Sequence, residues 1–340
     1  MRGSKGLLGI ALGLGAGLAF GAGGAVVKPL LEAGWSPGAA VFARIAVAAA
    51  VLALPGLVAL RFDLRPLWRS RWTVLAYALI AIVGTQVAFY ASIATIPVST
   101  ALLIEYLAPV ALVLVAWVRL RTAPQLAVIG GSVLAVTGLV LVIGPGGGPL
   151  DPLGLLFAGI AMVGVCVYYV MGERVDAALP PIALAASGFV IGAIALGLLG
   201  LTGLVPFSAA FVEVSFLGLA TTPWWVPVLT VGVVSTAFAY VAGIRAIQLL
   251  GTRLSSFLGL SEVVFAAVVA WIVLGEALSP LQLFGGVGIL AGIVLVRLEK
   301  RPADPVARAL DIDLVPAPTG AVPVPATPAP TASARPARRA

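Results

Sequence analysis

The chain has 340 residues, 61% of them hydrophobic and only 10% charged, with a mean hydropathy of +1.15. A soluble domain carries about 25% charged residues, so a soluble fold is excluded: too little charge is present to cover a wetted surface. The formal charge of +7 reads as Lys and Arg held at the cytoplasmic face of a membrane, not as a nucleic-acid footprint. Cys166 is the single cysteine and histidine is absent, which rules out an intrachain disulfide and a Cys/His metal site. No cofactor is expected.

The apolar residues fall in runs near the roughly 20 residues that cross a bilayer. In chain order the predicted spans are 6–27, 37–59, 73–95, 98–117, 124–144, 153–171, 182–203, 224–247, 254–274 and 281–298. Arg2 and Lys5 before the first run imitate a signal peptide, but the run is too long for a signal core and reads as a membrane helix. Pro29, Pro37, Pro66, Pro97, Pro124, Pro180-Pro181, Pro223 and Pro280, with the glycine run 146–148, punctuate the connections. Only 204–223 is a long connection, and Phe207, Phe211 and Phe216 place it on the membrane interface. From Pro302 the composition shifts to Pro, Ala, Thr and Val, which neither sustains a helix nor buries a core. Residues 302–340 are expected to be a disordered cytoplasmic tail.

Cations set the orientation. With the N-terminus inside, the cytoplasmic segments hold Arg2, Lys5, Arg61, Arg65, Arg69, Arg71, Arg119, Arg121, Arg174, Arg253, Arg297, Lys300 and Arg301. The external ones hold only Lys28, with Glu32, Asp151, Glu213 and Glu276. Both termini are predicted to be cytoplasmic, in a multi-pass protein of the cell membrane.

Displaced by 154 residues, Val115–Val142 matches Val269–Val296 without a gap, with eleven identities in 28 positions, among them Trp117 with Trp271, Gly131 with Gly285 and Gly138 with Gly292. The shift carries spans four and five onto nine and ten. A displacement of five spans is odd, so the halves have opposite orientation. The charges agree: Arg119 and Arg121 follow span four, whereas Glu276 follows span nine. The predicted fold is all-α, ten membrane helices as two inverted five-helix repeats over 1–145 and 146–301. Inverted repeats are the architecture of secondary transporters, which bind solute near the midplane between the halves.

The segments Leu102-Leu103-Ile104-Glu105-Tyr106-Leu107-Ala108-Pro109-Val110, Ala270-Trp271-Ile272-Val273-Leu274-Gly275-Glu276 and Gly285-Gly286-Val287-Gly288-Ile289-Leu290-Ala291-Gly292 resemble the EamA-type branch of the drug/metabolite transporter superfamily. The resemblance spans 6–298 and implies a ten-helix inverted-repeat exporter of metabolites, often amino acids or drug-like solutes. The family commonly repeats the Leu-Gly-Glu element after span four. Leu120-Arg121-Thr122 stands there instead, so no role is carried to Thr122.

Four charged residues lie within spans: Arg44, Glu105, Arg245 and Glu262. Each costs about 2.5–3.5 kcal/mol at a helix centre, so each must face protein or water. Glu105 lies near mid-depth, and Pro109 four residues on cannot donate to its carbonyl, leaving that oxygen for water, ion or substrate. A kink with Glu105 bonded to a neighbouring helix is the structural alternative. Ser255, Gly259 and Glu262 form one stripe that either lines a cavity or packs closely. Arg44 either binds or snorkels, and Arg245 snorkels. Gln86 with Tyr90, and Thr236 with Tyr240, share i, i+4 spacing and fit a cavity wall. Tyr168 and Tyr169 read as interfacial aromatics. Gly9, Gly13, Gly17 and Gly21 form a ridge for close helix packing.

The expected function is alternating-access export of a small polar metabolite, with Glu105 exchanging a proton or meeting a cationic group and Arg44 meeting an anionic one. A membrane enzyme acting on a lipid-linked substrate is the competing class, but Asp63, Asp151 and Asp176 are scattered and no Gly-x-x-x-x-Gly-Lys motif is present. A channel is the third reading.

Overall fold

The computed structural model describes residues 2–96, 98–121, 123–144, 151–174, 179–216, 220–274 and 279–298. The expectations placed on Pro97, Thr122, the glycine run 146–148, Asp176, Glu276 and the tail 302–340 lie outside the described residues.

Among the described residues, ten helices are long and apolar enough to cross a membrane: α1 (Lys5–Glu32), α2 (Pro37–Ala59), α3 (Arg71–Ile93), α4 (Thr100–Leu120), α5 (Leu126–Ile143), α6 (Pro152–Glu173), α7 (Pro181–Leu201), α8 (Trp225–Leu250), α9 (Thr252–Val273) and α10 (Pro280–Arg297). Their starts follow local rules. Ser36 caps α2, its side chain accepting from the Ala39 N–H, with Pro37 next to it. Ser279 and Gln282 form a reciprocal capping box on α10, again with proline at the first position. Both are positions where a proline's missing donor is not needed. The first span is longer than predicted, because α1 continues through Pro29 to Glu32.

The outer faces are apolar. On α5, Leu126, Ile129 and Val133 are exposed, while Val128, Ala135 and Leu139 are fully buried. That is one helix with a lipid face and a protein face, the arrangement of a bilayer-embedded bundle.

Helix pairing follows a two-fold plan. Helices α2 and α7 pack together, as do α5 and α10, while α1 runs along α8 and α9 just as α6 runs along α3 and α4. The α5–α10 seam records the symmetry directly. A Cβ on Gly131 would lie 2.8 Å from the Gly292 carbonyl oxygen, and a Cβ on Gly285 2.6 Å from that of Gly138. Under the 154-residue offset Gly131 corresponds to Gly285 and Gly138 to Gly292, so the contacts exchange into one another, as an isologous interface requires. Without Cβ atoms the two backbones approach to contact, the usual means of joining helices where lipid removes the hydrophobic driving force.

The connection 204–223 contains a feature not predicted: β1 (Glu213–Phe216) pairs antiparallel with β2 (Ala220–Pro223). The segment before it is stitched to the α1–α2 turn. The Trp35 indole donates to the Ala210 carbonyl at 2.6 Å, and Ser36 Oγ donates to the Pro206 carbonyl at 2.8 Å. Phe211 packs against Trp35 and Trp224, and Phe207 against Phe42.

Substituting Gly138→Leu drives a side chain into the α10 backbone and is expected to destabilise the purified protein by about 1–3 kcal/mol, the range for overpacking. Gly130→Leu, at a position with no atom within 4 Å, is the control. Equal thermal midpoints for the two variants would mean that the seam does not hold the repeats together.

Candidate functional site

Four helices depart from regular geometry, and they do so in matched pairs. In α3, residues Tyr77–Gly84 are π-helical, as are Val233–Phe238 in α8. The 154-residue offset carries the first segment onto 231–238, which overlaps the second. A threonine spans each widened turn: Thr85 Oγ1 donates to the Ile80 carbonyl at 3.1 Å, and Thr236 Oγ1 to the Val231 carbonyl at 2.9 Å. Both hydroxyls reach five residues back, supplying a donor to a carbonyl that a widened turn leaves underused.

The second pair is interrupted. Helix α4 consists of Val98–Glu105 and Ala108–Leu120, separated at Tyr106-Leu107. Helix α9 consists of Thr252–Gly259 and Ser261–Leu274, separated at Leu260, and Tyr106 corresponds to Leu260 under the offset. The Pro109 kink expected from sequence thus has a local interruption at Tyr106-Leu107, with Pro109 in the first turn of the second segment, where proline is tolerated. The α9 break has no proline to announce it.

Between these four helices, α1, α2 and α6 lies a cavity of about 190 Å³. Of the residues selected from sequence, Arg44, Gln86, Glu105, Pro109, Tyr240 and Glu262 line it. Tyr90 and Thr236 are not among its lining residues. The Tyr90 hydroxyl donates to the Pro37 carbonyl at 3.2 Å, and Thr236 is fully buried, committed to its π turn. Arg245 is exposed and donates to Gln248 at 3.1 Å.

Tyr168 and Tyr169 are a correction. They line the cavity rather than sit at the interface, because Gly243 and Gly259 leave their hydroxyls room against α8 and α9. Tyr240 makes edge contacts with Phe20 at 5.1 Å, Tyr168 at 5.6 Å and Phe189 at 4.9 Å. The wall is therefore aromatic as well as charged, and such rings attract cations. Gly13 and Gly17 also line the cavity, and a Cβ on Gly17 would stand 2.6 Å from Ser261 Oγ. The α1 ridge packs on α9 and borders the site at once.

Sequence reasoning missed Tyr106, Thr85 and Ser256 on the wall. Tyr106 is the polar side chain that the Glu262 carboxylate faces. Its adjacency to Glu105 at the end of a half-helix was the available signal. Arg44 acts electrostatically on both glutamates. Its Nε is buried with no hydrogen-bond partner, as is Ser255 Oγ. Two carboxylates, one guanidinium and a free hydroxyl thus line one cavity, with polar capacity at Arg44 and Ser255 not consumed by the protein itself.

A model of the EamA-like transporter family matches this chain twice, over residues 7–144 and 152–298. The chain belongs to that family. The threonine/homoserine exporter RhtA of Escherichia coli (strain K12) is 30% identical over 258 residues, covering 70% of this chain and 79% of its own. Its counterpart in Salmonella typhimurium (strain LT2) is 30% identical over 254 residues with the same coverage. A crystal structure of a protein 21% identical in sequence superposes with a TM-score of 0.63 over 92% of this chain and 99% of its own, which establishes the likeness of fold. The family, the ten-helix two-repeat fold and the transport class read from sequence all stand.

Thr85→Val removes a hydroxyl shared between the Ile80 and Ala81 carbonyls and Thr236→Val one bonded to Val231, and each is expected to lower stability by about 1 kcal/mol. Only Thr85 borders the cavity, so only Thr85→Val should also slow transport. Thermal midpoints in detergent and flux in proteoliposomes measure the two effects. Unchanged midpoints in both variants would show that the π turns do not rely on these bonds.

Proposed function

We propose that this protein is a secondary exporter of small zwitterionic metabolites, amino acids above all, working by alternating access in the cell membrane. The observation that carries the reading is the cavity charge set: Arg44, Glu105 and Glu262 face one space from α2, α4 and α9. A zwitterion brings one anionic and one cationic group. Arg44 suits a carboxylate, since a guanidinium presents paired donors in the geometry a carboxylate accepts. The glutamates and the Tyr168 and Tyr240 rings suit an ammonium.

Size supports the class. An apolar cavity of about 150 Å³ holds benzene, so one of about 190 Å³ suits a solute of roughly six to ten non-hydrogen atoms. Small amino acids fall in that range, and the RhtA relatives are exporters of threonine and homoserine. Two carboxylates against one guanidinium leave the site one negative charge in excess when all are ionised. A proton on Glu105 neutralises the empty site, and its release when the substrate's ammonium takes its place couples export to proton entry.

Reconstituted protein should catalyse saturable counterflow of labelled threonine or homoserine, behaviour that neither a channel nor a lipid-modifying enzyme produces. Glu105→Gln is expected to remove the dependence of flux on a pH gradient while leaving the protein folded. Arg44→Gln, which removes a charged hydrogen bond of about 1.5–3 kcal/mol, is expected to raise the half-saturating concentration by about ten- to a hundredfold. A Glu105→Gln variant with normal, normally pH-dependent flux would make this carboxylate structural.

The cation asymmetry supports cytoplasmic termini. In a Cys166→Ala background, Arg65→Cys and Glu213→Cys, both exposed positions, should react with an impermeant maleimide from opposite sides, Glu213→Cys from outside intact cells. Labelling of both from outside would overturn the orientation.

A further inference from the structure

We propose that the connection between α2 and α3 is a binding site for the headgroup of an anionic phospholipid. Together with the first residue of α3 it holds Arg61, Arg65, Arg69 and Arg71 within eleven residues, against the single acid Asp63. All four arginines are exposed. Asp63 is occupied locally, its Oδ1 accepting from the Arg65 N–H at 2.9 Å. Clusters of four or more basic residues next to a membrane helix attract anionic lipid by about 1 kcal/mol per residue.

Two details separate this segment from an ordinary basic loop. First, α2 ends in a Schellman motif: the Arg61 N–H donates to the Val58 carbonyl and the Phe62 N–H to that of Leu57, both at 2.9 Å. Glycine normally takes the left-handed position of that motif. Here Arg61 and Phe62 take φ of 54° and 59° in succession, a conformation costing about 1–2 kcal/mol for each side-chain-bearing residue. The chain tolerates this and in return sets a cation and a 66%-exposed phenyl ring side by side.

Second, Arg71 is held in place rather than free. Its guanidinium lies 5.2 Å from the Trp68 ring centre and 5.5 Å from that of Trp72, and its Nη1 donates to the Trp68 carbonyl at 3.2 Å. Both indoles are mostly exposed, 72% for Trp68 and 64% for Trp72. A soluble phosphate uses guanidinium groups alone. The flanking indoles and the Phe62 ring belong at the glycerol and acyl level of a bilayer, so arginines and rings together match a phospholipid. Arg65 and Arg69, one turn apart on the short helix Arg65–Arg69, supply the remaining charge.

The test uses the full chain in mixed micelles, with brominated phosphatidylglycerol or brominated phosphatidylcholine quenching tryptophan fluorescence. A Trp68→Phe/Trp72→Phe variant supplies the signal of the other tryptophans. Phosphatidylglycerol should quench Trp68 and Trp72 at concentrations at least tenfold lower than phosphatidylcholine. Arg65→Gln/Arg69→Gln/Arg71→Gln should weaken that binding by about a hundredfold, with unchanged elution on size exclusion. If the triple variant does not fold, Arg65→Gln/Arg69→Gln, which leaves the Arg71 stack alone, should still lose about tenfold or more. Equal quenching by both lipids, or a folded variant that keeps the preference, overturns the proposal. Displacement of the lipid by sn-glycerol 3-phosphate at matching concentration also overturns it, in favour of a soluble phosphate. None of these outcomes depends on what the central cavity carries.

Discussion

Hydrocarbon offers backbone groups no hydrogen-bond partners, so every N–H and C=O in a membrane helix must be satisfied within the protein or face an enclosed polar space. That constraint decides where this bundle can place its chemistry. The lipid-facing helices α5 and α10 run unbroken and meet through glycines. Among the described residues, the interruptions at Tyr106-Leu107 and Leu260, and the π turns of α3 and α8, fall in helices that border the cavity. Irregular backbone and polar side chains occur together because each is tolerated only where the other already excludes lipid. Glu105 ends one half-helix and Glu262 lies in the first turn of another, so both carboxylates sit where the backbone is itself unfinished.

The backbone is symmetric, yet the site is not. Under the 154-residue offset Glu105 corresponds to Gly259, and Glu262 to Ala108. Each carboxylate is therefore matched by a small residue in the other half, and Tyr169 occupies the space beside Gly259. The charged residues of the cavity are thus present once and not in duplicate. Duplicated glutamates would add further buried negative charge beside a single arginine.

Both ends of the bundle are clasped by polar contacts outside the cavity. At one end Ser36 Oγ accepts from the Ser208 N–H at 3.0 Å as well as donating to Pro206, joining the α1–α2 turn to the segment before α8. At the other, the Thr252 N–H donates to Glu173 at 2.6 Å and the Thr252 hydroxyl to the Tyr169 carbonyl at 3.2 Å, joining α6 to the start of α9.

The sequence by itself determined the bilayer environment, the number and approximate limits of the spans, the repeat and its inversion, and the family. All of these rest on composition, period and local punctuation, which neighbouring residues carry unaided. It also marked Glu105, because a carboxylate and a proline within one turn are a local signal. Only the tertiary structure decided that Arg44, Glu105 and Glu262 line one cavity, that Thr236 turns into its own helix, and that Tyr168 and Tyr169 face inward. Helix period gives each residue a face, but which face meets the cavity depends on how seven helices pack around it. Leu260 makes the point most simply: a leucine carries no breaking signal of its own. The interruption there is visible only in the folded chain, where α1 packs across the neighbouring Ser261.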